Sequence, residues 1–87
     1  IQGFGHWLSK LQDALAVRKV VRLIYHGSGR GEETRRDVEP VGLMYYSSGW
    51  HLIAWCRLRQ DYRDFKINRM ERVELLEEGY ELAQHPS

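Results

Sequence analysis

Cysteine is nearly absent: Cys56 stands alone in 87 residues. A single thiol excludes an internal disulfide and any multi-cysteine zinc site, and it fits a reducing, cytoplasmic setting. Long apolar runs are lacking as well. The clearest clusters, Val20–Tyr25 and Trp50–Cys56, fall far short of the roughly 18–20 residues of a membrane-spanning helix. No basic stretch followed by an apolar one opens the chain, as it would in a secretory signal. The first residue is Ile1 rather than Met, which is read as the mark of a piece cut from a longer protein. Net charge is small too, thirteen Lys/Arg against twelve Asp/Glu for +1. With 43% hydrophobic and 29% charged residues, the chain reads as one globular domain, with no room for a second.

Catalytic and metal-binding patterns are thin. The four histidines, His6, His26, His51 and His85, form no pair at i and i+4 and no Cys–His spacing of the zinc type. Cys56 lies among apolar neighbours, where a thiol is usually inert packing. Ser28, Ser47 and Ser48 sit in turns without a nucleophile elbow. The expectation is a binding surface and not an enzyme, with neither cofactor nor metal.

Charge is present but unevenly placed. Arg18–Arg36 holds six basic residues against Glu32 and Glu33, a local +4, and Arg57–Arg72 holds six against Asp61, Asp64 and Glu71, a local +3. From Val73 onward Glu74, Glu77, Glu78 and Glu81 give a local −4. Ten of the twelve basic residues in the two blocks are arginine, whose planar fork suits phosphate better than lysine does. A neutral molecule can thus carry one positive face.

Hydrophobic period gives the element order. Ser9 as cap with Gln12 three residues on, then Leu11, Ala14 and Leu15 on one face, predict a helix over Lys10–Val17. From Val20 the period changes to two, with Val21, Leu23 and Tyr25 on one parity, a strand. The glycine-rich stretch His26–Gly31 matches neither a P-loop nor a dinucleotide fingerprint and is read as a turn between strands. Thr34–Tyr46 is extended. Val38 lies on one parity and Val41, Leu43 and Tyr45 on the other, so a bulge at Pro40–Gly42 is expected to flip the face. Ser47-Ser48-Gly49 reads as a hairpin turn, Trp50–Cys56 as a strand covered on both sides, Tyr62–Ile67 and Glu71–Glu77 as further strands, and 79–87 as a ragged end. One helix and five short strands suit a mainly β fold, a small five-stranded SH3-like or Sm-like barrel.

Four stretches resemble the WYL domain. Val21-x-Leu23-x-Tyr25 is similar to the family's first strand, and Arg35–Leu43 to its arginine-rich approach to a proline. Trp50-His51-Leu52 stands at the naming triplet, with His51 in place of tyrosine. Asp61–Met70 resembles the Arg-x-Phe strand and the turn after it, with Asn68 where aspartate is common and Met70 where isoleucine is. The likeness covers about residues 10–80, leaving 1–9 as lead-in and 81–87 as tail. It implies the ligand-sensing domain of a bacterial transcriptional regulator. Such a domain follows a helix-turn-helix domain in the same chain, works within a homodimer, and senses single-stranded DNA or a related oligonucleotide. The residues agree. A single-strand site needs cations interleaved with flat rings. Arg35, Arg36, Arg57, Arg63, Lys66 and Arg69 supply the first; Tyr25, His51, Tyr62 and Tyr45 or Tyr46 supply the second. A competing reading is a protein–protein or dimerisation module whose basic blocks meet the acidic end of a neighbour.

Overall fold

A computed structural model describes residues 4–27, 32–82 and 84–86. The element order is helix α1 (Phe4–Val17), strands β1 (Lys19–His26), β2 (Glu33–Tyr46), β3 (Gly49–Cys56) and β4 (Asp61–Lys66), a 3-10 turn (Ile67–Arg69) and β5 (Met70–Gly79). Most of the glycine-rich turn, residues 28–31, lies outside the described residues.

The helix starts six residues earlier than expected, and Ser9 lies inside it. The reason is apolar spacing. Trp7 and Leu8 pack on the same core as Leu11 and Ala14, so the buried stripe runs upstream at three- and four-residue steps. Arg18 ends the helix in the left-handed region, φ 57°. Its guanidinium turns back to donate to the Leu15 carbonyl at 2.9 Å, satisfying one orphan acceptor of the last turn.

All five strands form one antiparallel sheet in the order β4-β3-β2-β1-β5. The expected bulge exists: Pro40 pairs with Ala54 and Gly42 with Ile53, leaving Val41 as the extra residue. Val41 is exposed and not inward, because it is the residue the bulge extrudes. The flip lets even-numbered Val38 and odd-numbered Leu43 face one core. Leu43, Leu52 and Phe65 make a row across β2, β3 and β4 in that core, where Leu11 and Ala14 also pack.

Barrel closure is not reached. Among the described residues no ladder joins β4 to β5. The sheet curves instead, until the Tyr25 hydroxyl on β1 accepts the backbone N–H of Lys66 on β4 at 3.0 Å. Other rim groups are met by side chains. Asp61 Oδ1 takes the Tyr62 N–H at 2.8 Å. Lys10 and Lys19 donate to the Val73 and Glu77 carbonyls of β5 at 3.2 and 2.9 Å. The tail is not ragged throughout. Tyr80 is buried, its hydroxyl donating to the Pro40 carbonyl. The His85 ring lies flat on Trp55 at 3.8 Å. No helix among the described residues is long and apolar enough to cross a membrane.

Leu52 is fully buried at the middle of the core row. Leu52→Ala should cost about 2–5 kcal/mol, a large share of the ~4–13 kcal/mol expected for a domain this size. Urea unfolding measures it. A loss under about 1 kcal/mol would contradict the packing described.

Candidate nucleic-acid interface

The β2–β3 hairpin turns on Ser47 and Ser48, both at positive φ, 50° and 62°. Two left-handed residues match the twist of paired strands. This tight turn sets Tyr46 beside His51. The two rings stack at 3.9 Å with 16° between planes.

His51 is 4% exposed, and a buried polar ring needs partners. Asp64 supplies one. A carboxylate only accepts, so the His51 Nδ1–H donates to Asp64 Oδ1, at 2.7 Å. The Tyr46 hydroxyl donates to the other oxygen of Asp64. Asp64 thus ties the outer ring to the inner one. It reaches both because β4 pairs with β3 in the register Ile53↔Asp64 and His51↔Lys66, which puts all three side chains on one face.

A groove runs past this cluster. Its smaller part, about 260 Å³, is lined by Tyr25, Tyr46, His51, Asp64, Lys66 and Arg69. Its larger part, about 550 Å³, lies between the hairpin turn and the 3-10 turn and includes Trp50, Lys66 and Asn68. Of the residues picked from sequence, Tyr25, His51, Lys66 and Arg69 therefore converge. Tyr25 stands edge-on to Phe65 at 5.1 Å, its hydroxyl held by the Lys66 N–H.

The other selected residues are placed elsewhere. Arg36 lies over the Phe65 ring at 5.8 Å and donates to Thr34 Oγ1 and Cys56 Sγ. Arg63 shares the parity of Phe65, is exposed, and has no side-chain partner among the described residues. Arg35 has the opposite parity from Arg36, level with Ile24, and adds its charge to the surroundings of Asp37. Arg57 is occupied. It bonds Glu78 through both terminal nitrogens at 2.8 and 3.0 Å and Glu39 through Nε at 3.0 Å. The Glu78 contacts, with Glu39 adding to them, hold the guanidinium pKa further up. Tyr62 packs on Trp55 and His85, four residues along β3 from His51.

Sequence reasoning missed Asp64 as a partner. The signal was available: Asp64 and Lys66 share the polar parity of β4, opposite Phe65. It also missed His26, Glu33 and Glu71, whose ligand atoms lie within 4.8 Å of one another. All three are at least partly solvent-facing, and the His26 Nε2–H already donates to Glu71 at 2.8 Å.

Comparison with known proteins gives a consistent set. The model of the WYL domain family matches residues 6–75. The HTH-type transcriptional regulator YobV of Bacillus subtilis is 38% identical over 53 residues, 61% of this chain and 17% of that protein. The DNA-binding transcriptional repressor CapW of Escherichia coli is 30% identical over 63 residues, 72% of this chain and 21% of CapW. CapW of Stenotrophomonas maltophilia is 30% identical, covering 91% of this chain and 32% of its own length. Among solved structures, the proteasome accessory factor B/C (PafBC) of Arthrobacter aurescens superposes with a TM-score of 0.84 at 27% identity, covering 90% of this chain and 12% of that one. The chain thus spans a third or less of each relative.

Away from the groove, Arg22 grips Asp37 with two bonds, 2.8 and 3.0 Å, and that hydrogen bonding holds the Asp37 carboxyl below its ordinary value. A depressed folded-state pKa stabilises above the unfolded value and is lost as pH falls through the folded one. Stability should therefore decline below about pH 4. Asp37→Asn should flatten that decline while lowering stability at neutral pH. Identical acid limbs for the two proteins in thermal melts would contradict the role given to Asp37.

Proposed function

The chain belongs to the WYL domain family, and from that premise we propose that it is the ligand-sensing part of a bacterial transcriptional regulator, binding single-stranded DNA or a related oligonucleotide along the groove at His51. The observation that carries the reading is convergence: Lys66 and Arg69 stand beside the rings of Tyr25, Tyr46 and His51 around one groove. Cations beside flat rings are what an unpaired strand requires, for its phosphates and its bases respectively. Arg36, over Phe65, and Arg63, on the parity of Phe65, stand on the face opposite Asp64 and Lys66 and do not line the groove. Arg35 lines neither part of the groove, and Arg57 is spent on Glu39 and Glu78.

In the parent protein this domain is joined to a helix-turn-helix domain, acts within a homodimer in the cytoplasm, and turns strand binding into a change of regulator arrangement. The role is binding, not catalysis. The dimerisation-module reading asks the acidic end to seek a neighbour's arginines. Glu78 already has Arg57 within the same chain, and that favours the sensor.

Fluorescence polarisation with labelled single strands tests this. Lys66→Ala and Arg69→Ala should each weaken binding several-fold and reduce the log–log salt slope by about 0.7 for every phosphate left without its cation. Arg57→Ala should lower stability and leave affinity within about twofold. Unchanged affinity in both groove variants, with self-association abolished instead, would transfer the function to the dimerisation reading.

A further inference from the structure

Three aromatic rings border the smaller part of the groove, those of Tyr25, Tyr46 and His51, and they are not equivalent as surfaces for a base. Stacking needs a ring face that is open. Tyr25 is 9% exposed, stands edge-on to Phe65 and has its hydroxyl engaged by the Lys66 N–H. His51 is 4% exposed, and Tyr46 covers one face of its ring. Tyr46 is 42% exposed. One of its faces lies on His51 at 3.9 Å, so its exposure comes from the opposite face and the edges.

Strand register explains how this ring is mounted. His51 pairs with Met44 on β2 and with Lys66 on β4, and Ile53 pairs with Asp64. Tyr46 and Asp64 are therefore diagonal neighbours of His51 on its two flanking strands, all on one face of the sheet. Asp64 Oδ1 accepts the His51 Nδ1–H at 2.7 Å, and Oδ2 accepts the Tyr46 hydroxyl. An exposed tyrosine without such a tether samples several rotamers and must be ordered when a ligand arrives; the tether removes that cost beforehand. The charge of Asp64 points the same way. A carboxylate at this spot repels a phosphate and tolerates a neutral base, while Lys66 and Arg69 border the same part of the groove and suit the backbone.

We propose that the outer face of Tyr46 is the surface on which a base of the bound strand stacks, with His51 backing the ring and Asp64 as the positioning residue that locks both rings in place. This deepens the single-strand reading above and rests on it. Tyr45 and Trp50 form a separate edge-to-face pair, at 5.5 Å and 72°. They border the larger part of the groove, which Lys66 reaches and Arg69 does not. A base seated there has one of the two cations beside it, and a base on Tyr46 has both.

The test compares an oligothymidylate with an abasic strand of equal length, on the unmodified 87-residue chain and its variants. Phosphate contacts cancel in the ratio of the two affinities, so the ratio reads base contacts alone. The unmodified chain should prefer the complete strand by about five- to 150-fold, the equivalent of ~1–3 kcal/mol for one stacked base. Tyr46→Leu, which still covers His51 with an apolar group, should lower that ratio about fivefold or more. Asp64→Ala should lower it several-fold, and Asp64→Asn, whose carbonyl accepts one of the two bonds, should recover part of the loss. A purely structural role for Asp64 would weaken both strands alike and leave the ratio at its original value, which overturns the positioning role. Irradiation of the unmodified chain with a 5-iodouracil strand needs no variant and should attach the base to Tyr46. Attachment confined to Tyr45 or Trp50, or an unchanged ratio in Tyr46→Leu, overturns the platform. A complete strand that binds no better than the abasic one also overturns it, and leaves strand binding through phosphates intact. If neither strand binds, the single-strand reading falls and takes the platform with it.

Discussion

One extra residue in β2 decides which way every later side chain of that strand points. Side chains alternate across a strand, so a regular β2 that buried Val38 would send Leu43 to the outer face. The bulge at Val41 restores the alternation to the core, and the cost is one exposed valine. Everything at the functional end follows from this shift. Leu43 joins Leu52 and Phe65, Tyr45 meets Trp50, and Tyr46 is left on the face of His51. Pro40, which has no N–H to give to a ladder, stands where the irregularity begins.

Among the described residues two polar side chains are buried, Glu39 and His51, and they are handled differently. Glu39 is satisfied on both oxygens, by Arg57 at 3.0 Å and by the His85 Nε2–H at 2.8 Å. These bonds tie β2 to the turn after β3 and to the tail, a structural task. His51 is satisfied on one nitrogen only and lies between aromatic neighbours at the lip of a groove. Glu39 is thus fully paired within the fold, while His51 Nε2 has no partner among the described residues.

The strands and the parity flip could be read along the chain because each depends on near neighbours. The early start of α1 was also in the sequence, in Trp7 and Leu8, but Ser9 offered a competing start signal that tertiary packing overrode. Closure of the sheet was not legible, since it depends on summed twist over five strands and not on any one pattern. Nor was the Asp64–His51 bond. The β3–β4 register is set by the turn at 57–60, where Gln60 takes a positive φ of 56°; a slip of one residue would have presented Phe65 in place of Asp64. Arg57 looked like a free cation because its partners, Glu39 and Glu78, lie 18 and 21 residues away. Of the eight residues selected from the sequence, the four that converge come from β1, β3, β4 and the 3-10 turn, three of them at or next to an element boundary.

An unclosed sheet carries two rims, and bare rims invite copies to zip together into ribbons. Here the rims are stitched. The Tyr25 hydroxyl and the Asp61 carboxylate occupy amides of β4, and two lysine ammonium groups sit on carbonyls of β5. Those four groups are not open to an added strand, so at these points the edges present side chains in place of bare main-chain donors and acceptors.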